Sequence, residues 1–167
     1  LWLISILPFR LFYLFSDFVC FLTYTIIGYR KKVVRQNIAL ALPHLSEKER
    51  LAVEKKFYKH MCDMFLEMIK TISITHEEIE KRFTFKNLEV YKDLETKNKS
   101  IALLCAHYAS YEWVVSMNYY IGFKGFGIYK KLANPYFDKL VKHIRSKFKA
   151  ELITTKETIT TLADNER

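Results

Sequence analysis

Glycine and proline are scarce in this sequence, with four and three copies in 167 residues. So low a content argues against a disordered chain and against a fold built from many tight β-turns. Cysteine is rare as well. The three cysteines, Cys20, Cys62 and Cys105, form no CxxC pair, so we expect neither a disulfide framework nor a thiolate metal site. Each lies in an apolar run, which is typical of reduced, buried thiols.

Hydrophobic residues are abundant, at 50% of the chain, and 16% of all residues are aromatic. That supply is ample for the core of a chain whose length corresponds to about one domain. The net charge of +9 favours an anionic partner, which could be a membrane surface, an acidic substrate or a nucleic acid. Because the basic residues form no nucleic-acid recognition motif and the amino-terminal end is apolar, we expect no nucleic-acid partner.

Residues 1–29 are the most apolar part of the chain, and Asp17 is the only charged residue between Leu11 and Gly28. The stretch from Leu11 to Gly28 is at the lower edge of the length that a membrane-spanning helix needs. The residues that follow include four basic ones: Arg30, Lys31, Lys32 and Arg35. Such a flank faces the cytoplasm or anionic lipid headgroups. We therefore predict that residues 1–29 form a membrane-anchoring helix that crosses the bilayer or lies on it, with a buried core helix as the alternative.

Residues 30–82 have the periodicity of helices. A short helix is predicted over residues 33–42 and a long amphipathic one from Ser46 onward. Ser46 with Glu49, and Thr75 with Glu78, have the spacing of capping boxes at helix starts.

From residue 83 onward, short apolar runs alternate with helical stretches. Strands are predicted at residues 83–85, 101–106, 125–129 and 151–154, and helices are centred near residues 91, 115 and 142. This alternation is typical of an α/β domain with a mixed, largely parallel sheet flanked by helices. The chain starts at Leu1 and stops within a helical pattern, so we expect residues 83–167 to be the N-terminal part of a truncated domain.

A histidine followed five positions later by a glutamate occurs twice, as His44 with Glu49 and as His107 with Glu112. With five histidines in the chain, chance would give roughly half a match, so the spacing alone carries little weight. Glu49 is explained by its capping box. His107, in contrast, is predicted to end a buried strand just before a helix, which is where α/β sheets bind ligands.

His107 and Glu112 would converge if the histidine precedes the helix and the glutamate lies in its first turn, with Ser110 as N-cap. A carboxylate that orients a neutral imidazole makes it a general base for a hydroxyl or a water. A thiolate mechanism through Cys105 is an alternative, although an apolar surrounding raises the pKa of a thiol. A strand-end histidine beside a first-turn acid without catalytic function is the other alternative.

The segment AHYASYEW, residues 106–113, resembles the first motif of the lipid A biosynthesis acyltransferases, which belong to the lysophospholipid acyltransferase superfamily. That motif usually reads Gly-His-x-Gly-Asn-Trp-Glu. Here Ala106, Ala109-Ser110 and Tyr111 replace its glycine, Gly-Asn and tryptophan, whereas the histidine and the glutamate are kept. The similarity covers nearly all of the chain, including residues 7–43 and 57–70.

A second block, IYKKLANPYFDKLVKHIRSKF, is also similar to the family. Its matching residues are Tyr129, Asn134, Pro135, Asp138, Arg145 and Phe148. Lys130 stands where arginine is usual, and Lys149 or Ala150 where glycine is common. The resemblance implies substrate-binding roles for Tyr129, Lys130, Asn134 and Arg145, beside the catalytic pair His107 and Glu112.

The resemblance implies an enzyme of the inner membrane whose active site faces the cytoplasm. It would transfer a fatty acyl group from acyl carrier protein or coenzyme A to a hydroxyl of an anionic glycolipid, a lipid A precursor. No metal and no organic cofactor are expected. An acyltransferase for another membrane lipid, such as an ornithine lipid, an aminolipid or another glycolipid, is an alternative, and so is a non-catalytic membrane-bound module.

Overall fold

The computed structural model describes residues 1–165. It divides into two compact units, of which the first is Leu1–Lys70 and the second starts at Thr71. The first unit is helical. Its elements are α1 (Trp2–Ser5), α2 (Phe9–Phe21), a π-helix (Leu22–Ile27), α3 (Lys31–Ala41) and α4 (Glu47–Lys70).

The predicted anchor over residues 1–29 is divided into several helical pieces. Pro8 is the N-cap residue of α2 and separates it from α1, because proline has no amide hydrogen to continue the first helix. Gly28, in the left-handed conformation, ends the π-helix. The helical run Phe9–Ile27 is long and apolar enough to cross a membrane by length and composition. Whether residues 1–29 anchor the chain stays a prediction.

Helix α4 holds the first unit together. Phe12 of α2 and Tyr58 of α4 are fully buried, and the hydroxyl of Tyr58 donates a hydrogen bond to the carbonyl of Tyr29. At the C-terminal end of α4, the Lys70 ammonium donates to the carbonyls of Ser5 and Leu7, both at 2.6 Å. Helix α4 therefore contacts the earlier part of the chain from its middle, at Tyr58, and from its C-terminal end, at Lys70.

Both predicted capping boxes begin helices where expected. The Ser46 amide donates to Glu49 Oε2 at 2.8 Å and the Glu49 amide to Ser46 Oγ at 3.4 Å, which confirms the capping box of α4. Thr75 is the N-cap of the next helix and accepts from the Glu78 amide at 3.2 Å.

The second unit combines helices with a small sheet. Its elements are α5 (His76–Arg82), α6 (Leu88–Thr96), a 3-10 helix (Tyr111–Tyr119), β1 (Phe126–Tyr129), α7 (Pro135–Ser146), β2 (Glu151–Thr154) and α8 (Thr158–Asn165). The two strands are parallel, and Phe126 pairs with Glu151 and Tyr129 with Thr154. The unit β1–α7–β2 is thus a parallel pair joined by a helix, as an α/β fold requires.

Two of the four predicted strands are confirmed and two are wrong. Residues 83–85 and 101–106 are not strands, although both are apolar. A strand needs a neighbour for its backbone hydrogen bonds, and neither run has one in the described part of the chain. Most side chains of residues 101–106 are exposed, so the apolar run does not mark a buried strand. His107 accordingly follows an exposed extended segment.

Candidate active site

The carboxylate of Glu112 forms a two-pronged ion pair with Arg145. Arg145 Nε donates to Glu112 Oε2 at 2.8 Å, and a second guanidinium nitrogen donates to Oε1 at 2.5 Å. The side chain of Glu112 is 8% exposed and that of Arg145 is 25% exposed. This fork matches the planar geometry of guanidinium and carboxylate, and the bonds to Glu112 raise the pKa of Arg145.

The segment Thr71–Ile74 holds both partners of this ion pair in place. Trp113, next to Glu112, donates its indole N–H to Thr71 Oγ1 at 2.9 Å. Lys147, two residues after Arg145, donates to the carbonyls of Thr71, Ile72 and Ile74 at 2.9, 3.1 and 2.6 Å. Burial lowers the pKa of Lys147, and the three carbonyls satisfy its ammonium. One short segment, through the Thr71 hydroxyl and three backbone carbonyls, therefore contacts both the 3-10 helix and the residue that follows α7.

His107 lies four residues before Tyr111 and packs against it. The two ring centroids are 4.4 Å apart, and the imidazole is exposed. Burial raises the pKa of the Tyr111 hydroxyl, and the neighbouring Glu112 carboxylate raises it further. The side chain of Tyr111 is thus placed next to both His107 and Glu112, and sequence reasoning gave it no function. The signal that could have found it is its position, where the motif usually has tryptophan.

The turn between His107 and the 3-10 helix depends on a residue with a positive φ. Ala109 has φ = 49°, in the left-handed region that favours glycine, and it occupies the position where the motif usually has glycine. Lys149 has φ = 62° and is likewise near a position where glycine is common. Ala109 thus adopts a backbone conformation that glycine would adopt more easily. Ser110 is the N-cap residue, as predicted, but its hydroxyl does not cap the helix.

Tyr129 ends β1 with a buried side chain. Its hydroxyl forms no hydrogen bond of normal geometry in the described part of the chain. The Lys142 ammonium lies 5.6 Å from the centroid of the Tyr129 ring, and the phenol raises the pKa of that lysine. Lys142 also pairs with Asp138 at 3.5 Å, and Asp138 accepts from the Leu132 amide at 2.9 Å, which fixes the loop after β1.

Two of the predicted substrate-binding residues lie around that loop. Lys130 is exposed directly after β1. Asn134 is the N-cap of α7, where its side-chain oxygen accepts from the amides of Tyr136 and Phe137 at 3.0 and 3.4 Å. Pro135 at the first helical position completes a favourable helix start. The structure therefore gives Asn134 a local capping contact, and its role in binding stays a prediction.

The structure thus brings together two of the predicted site residues, Glu112 and Arg145, through direct hydrogen bonds. His107 is linked to them through Tyr111, and Tyr129 lies close enough to Arg145 to contribute to its raised pKa. Across residues 1–165, no group of three or more His, Cys, Asp or Glu side chains has the arrangement of a metal site.

Comparison with known protein families identifies the class of this site. A family model described as bacterial lipid A biosynthesis acyltransferase matches residues 1–166, which is nearly the whole chain. The family is one of acyltransferases, and the resemblance read from the two motifs is therefore confirmed. The chain belongs to the bacterial lipid A biosynthesis acyltransferase family. No curated protein matches it.

Removing the counter-charge of Glu112 should destabilise the protein. We expect Arg145→Ala to lower the free energy of unfolding by about 2–3 kcal/mol, somewhat less than for a fully buried pair, because a nearly buried carboxylate loses its partner. The same substitution in a Glu112→Gln background should cost less, since no charge is then left unpaired. Urea unfolding of the four proteins gives this coupling. Lys139→Ala, at an exposed position of α7, is the control. If Arg145→Ala lowers the free energy of unfolding equally in the wild type and in Glu112→Gln, the two residues do not stabilise each other.

The left-handed turn yields a second prediction. Ala109→Gly should stabilise the protein by about 1 kcal/mol, because glycine adopts a positive φ without the steric cost that a Cβ atom brings. Ala106→Gly is the matched control, at a position without a positive φ, and should be neutral or destabilising. Thermal or urea denaturation measures both. If the two substitutions have the same effect, the turn conformation described above is wrong.

Proposed function

We propose that the protein transfers a fatty acyl chain from an acyl thioester, on acyl carrier protein or coenzyme A, to a hydroxyl of a lipid A precursor. Family membership over residues 1–166 is the observation that carries this proposal. The exposed imidazole of His107, whose ring contacts Tyr111 beside Glu112 in the chain, supports it, because acyl transfer to a hydroxyl needs a base open to the substrate.

In this mechanism His107 takes the proton of the acceptor hydroxyl while the oxygen attacks the thioester carbonyl. A C–O bond forms, the C–S bond breaks, and the proton passes to the leaving thiolate. The amides at the start of the 3-10 helix or the Lys130 ammonium are the candidate donors to the oxyanion. No metal or organic cofactor takes part.

We propose that Glu112 orients His107 and that Arg145 positions Glu112. A carboxylate accepts about four hydrogen bonds, so the two from Arg145 leave capacity for the imidazole N–H. Arg145, expected from the resemblance to bind substrate, has two of its guanidinium nitrogens bonded to Glu112. Substrate binding then falls to Tyr129, Lys130 and Asn134, which lie at and after the end of β1.

The proposed location is the inner membrane, with the active site on its cytoplasmic side. The apolar run Phe9–Ile27 and the lipid substrates of the family support a membrane location. The basic residues just after that run support a cytoplasmic orientation. Residues 124–149 contain eight lysines and arginines against one acidic residue, Asp138, which suits a phosphorylated glycolipid or an acidic carrier protein.

Substitution of His107 tests the proposal in cells. In a strain that lacks the gene, mass spectrometry of lipid A should show a species short of one acyl chain. The full-length wild-type gene and a His143→Ala variant should restore it, since His143 is an exposed histidine on α7. His107→Ala should not restore it, because the acceptor hydroxyl keeps its proton, while immunoblotting shows normal protein levels.

Three outcomes of that experiment contradict parts of the proposal. Full restoration by His107→Ala would exclude the histidine as the base. Failure of Cys105→Ala alone would favour a thiolate mechanism. Normal lipid A in the deletion strain, together with the loss of an acyl chain from another lipid, would keep the proposed acyl transfer but show that the acceptor is that other lipid.

A further inference from the structure

Three side chains of α2 are paired with polar side chains of α4. Tyr13 Oη donates to Glu67 Oε1 at 2.7 Å, and Ser16 Oγ donates to Asp63 Oδ1 at 2.5 Å. Lys59 Nζ pairs with Asp17 at 2.9 Å. Residue numbers rise along α2 as they fall along α4, so the two helices run antiparallel side by side.

Helix α4 also binds the segment on the other side of the π-helix. Arg35 of α3 donates from Nε and a second nitrogen to the carboxylate of Glu54, at 2.8 and 3.2 Å. Both α2 and α3 are therefore fastened to the same helix. If α2 crossed the bilayer, α4 would have to enter the bilayer with it.

The composition of α4 makes that arrangement unfavourable. In the stretch of α4 next to α2 the exposed charged or titratable side chains are Lys55, Lys56, Lys59 and His60. Charged side chains within hydrocarbon are costly unless they are paired or reach water. Asp17 and Lys59 are 51% and 61% exposed, and Asp17 lies near the middle of the apolar run. A transmembrane α2 would move this solvent-exposed ion pair into the hydrocarbon of the bilayer.

The side chains of α2 are distributed as on a helix that lies at an interface. Leu11, Leu14 and Phe18 form one exposed stripe, with 54%, 66% and 55% of each residue accessible. Their spacing of three and four residues puts them on one side of the helix, which we name the outer face of α2. Arg10 and Asp17 are seven residues apart, hence within roughly 20° of each other, on a flank between the outer face and α4.

We infer that α2 lies in the plane of the membrane surface, with its outer face in the lipid and α4 on the water side, and does not cross the bilayer. The inference rests on the membrane location proposed above and is independent of acyl transfer. An interfacial helix has this apolar stripe with charged flanks. Exposed Trp2 before α2, and Arg30 and Lys32 after it, suit the headgroup region of an anionic membrane.

Nitroxide labels on single cysteines measure this geometry directly. The full-length protein, with Cys20→Ala and Cys105→Ser, is reconstituted in phosphatidylethanolamine and phosphatidylglycerol vesicles; Cys62 is buried and stays. Labels at Leu11→Cys and Phe18→Cys should lie at the same shallow depth, as read from collisions with oxygen and a water-soluble nickel chelate. A crossing helix would separate these two depths by about 10 Å, from its rise of 1.5 Å per residue.

Lys59→Cys provides the matched label on α4. It should collide freely with the nickel chelate, because α4 faces water in the proposed arrangement. Graded depths at positions 11 and 18, or protection of position 59, would overturn the inference. Dipolar broadening between labels at position 18 would also overturn it, since a second copy would then cover the outer face. None of these readouts depends on acyl transfer, so loss of activity alone leaves the inference standing.

Discussion

The ion pair between Glu112 and Arg145 is the constraint on which the candidate active site depends. It joins two elements that are 33 residues apart in sequence, the 3-10 helix and the end of α7. A carboxylate so little exposed needs a counter-charge, and the planar fork of arginine supplies both hydrogen bonds at once. Trp113 and Lys147, which flank the two residues of the pair in the chain, both bind the segment Thr71–Ile74. The pair is therefore stabilised by its own hydrogen bonds and by those of its neighbours.

That constraint changes how the motif around His107 and Glu112 is understood. From the motif alone, Glu112 and His107 form a simple pair and Arg145 is free to bind substrate. In the structure, Glu112 is already held by Arg145, and the Tyr111 ring contacts the imidazole on one side while its hydroxyl is influenced by the Glu112 carboxylate. A charge held in one place before substrate arrives needs no reorganisation during the reaction, which is the usual source of electrostatic catalysis.

Local signals in the sequence were reliable, and signals that depend on distant partners were not. The Ser46 capping box and the strands at 125–129 and 151–154 follow from short patterns, and the structure has all three. The runs at 83–85 and 101–106 have equally apolar sequences but lack a pairing neighbour, which no local pattern reveals. The contact of Glu112 with Arg145 likewise depends on tertiary structure, although the two sequence motifs indicate each residue separately.

In the first unit, too, the buried charged groups are paired. Glu54, Glu67 and Lys70 are buried in α4, and each bonds to a partner on α3, on α2 or in the turn around Leu7. These pairs satisfy the charged groups that the amphipathic helix α4 buries among its apolar side chains. They also fasten the apolar α2 to α4.

The steady-state acyl transfer of an Arg145→Lys variant tests most directly whether Arg145 positions Glu112. Lysine keeps the charge but cannot form the fork, so a positioning role predicts a fall in kcat with the KM for the lipid acceptor unchanged. A raised KM with an unchanged kcat would show instead that Arg145 binds substrate, and it would contradict the proposed chain from Arg145 through Glu112 to His107.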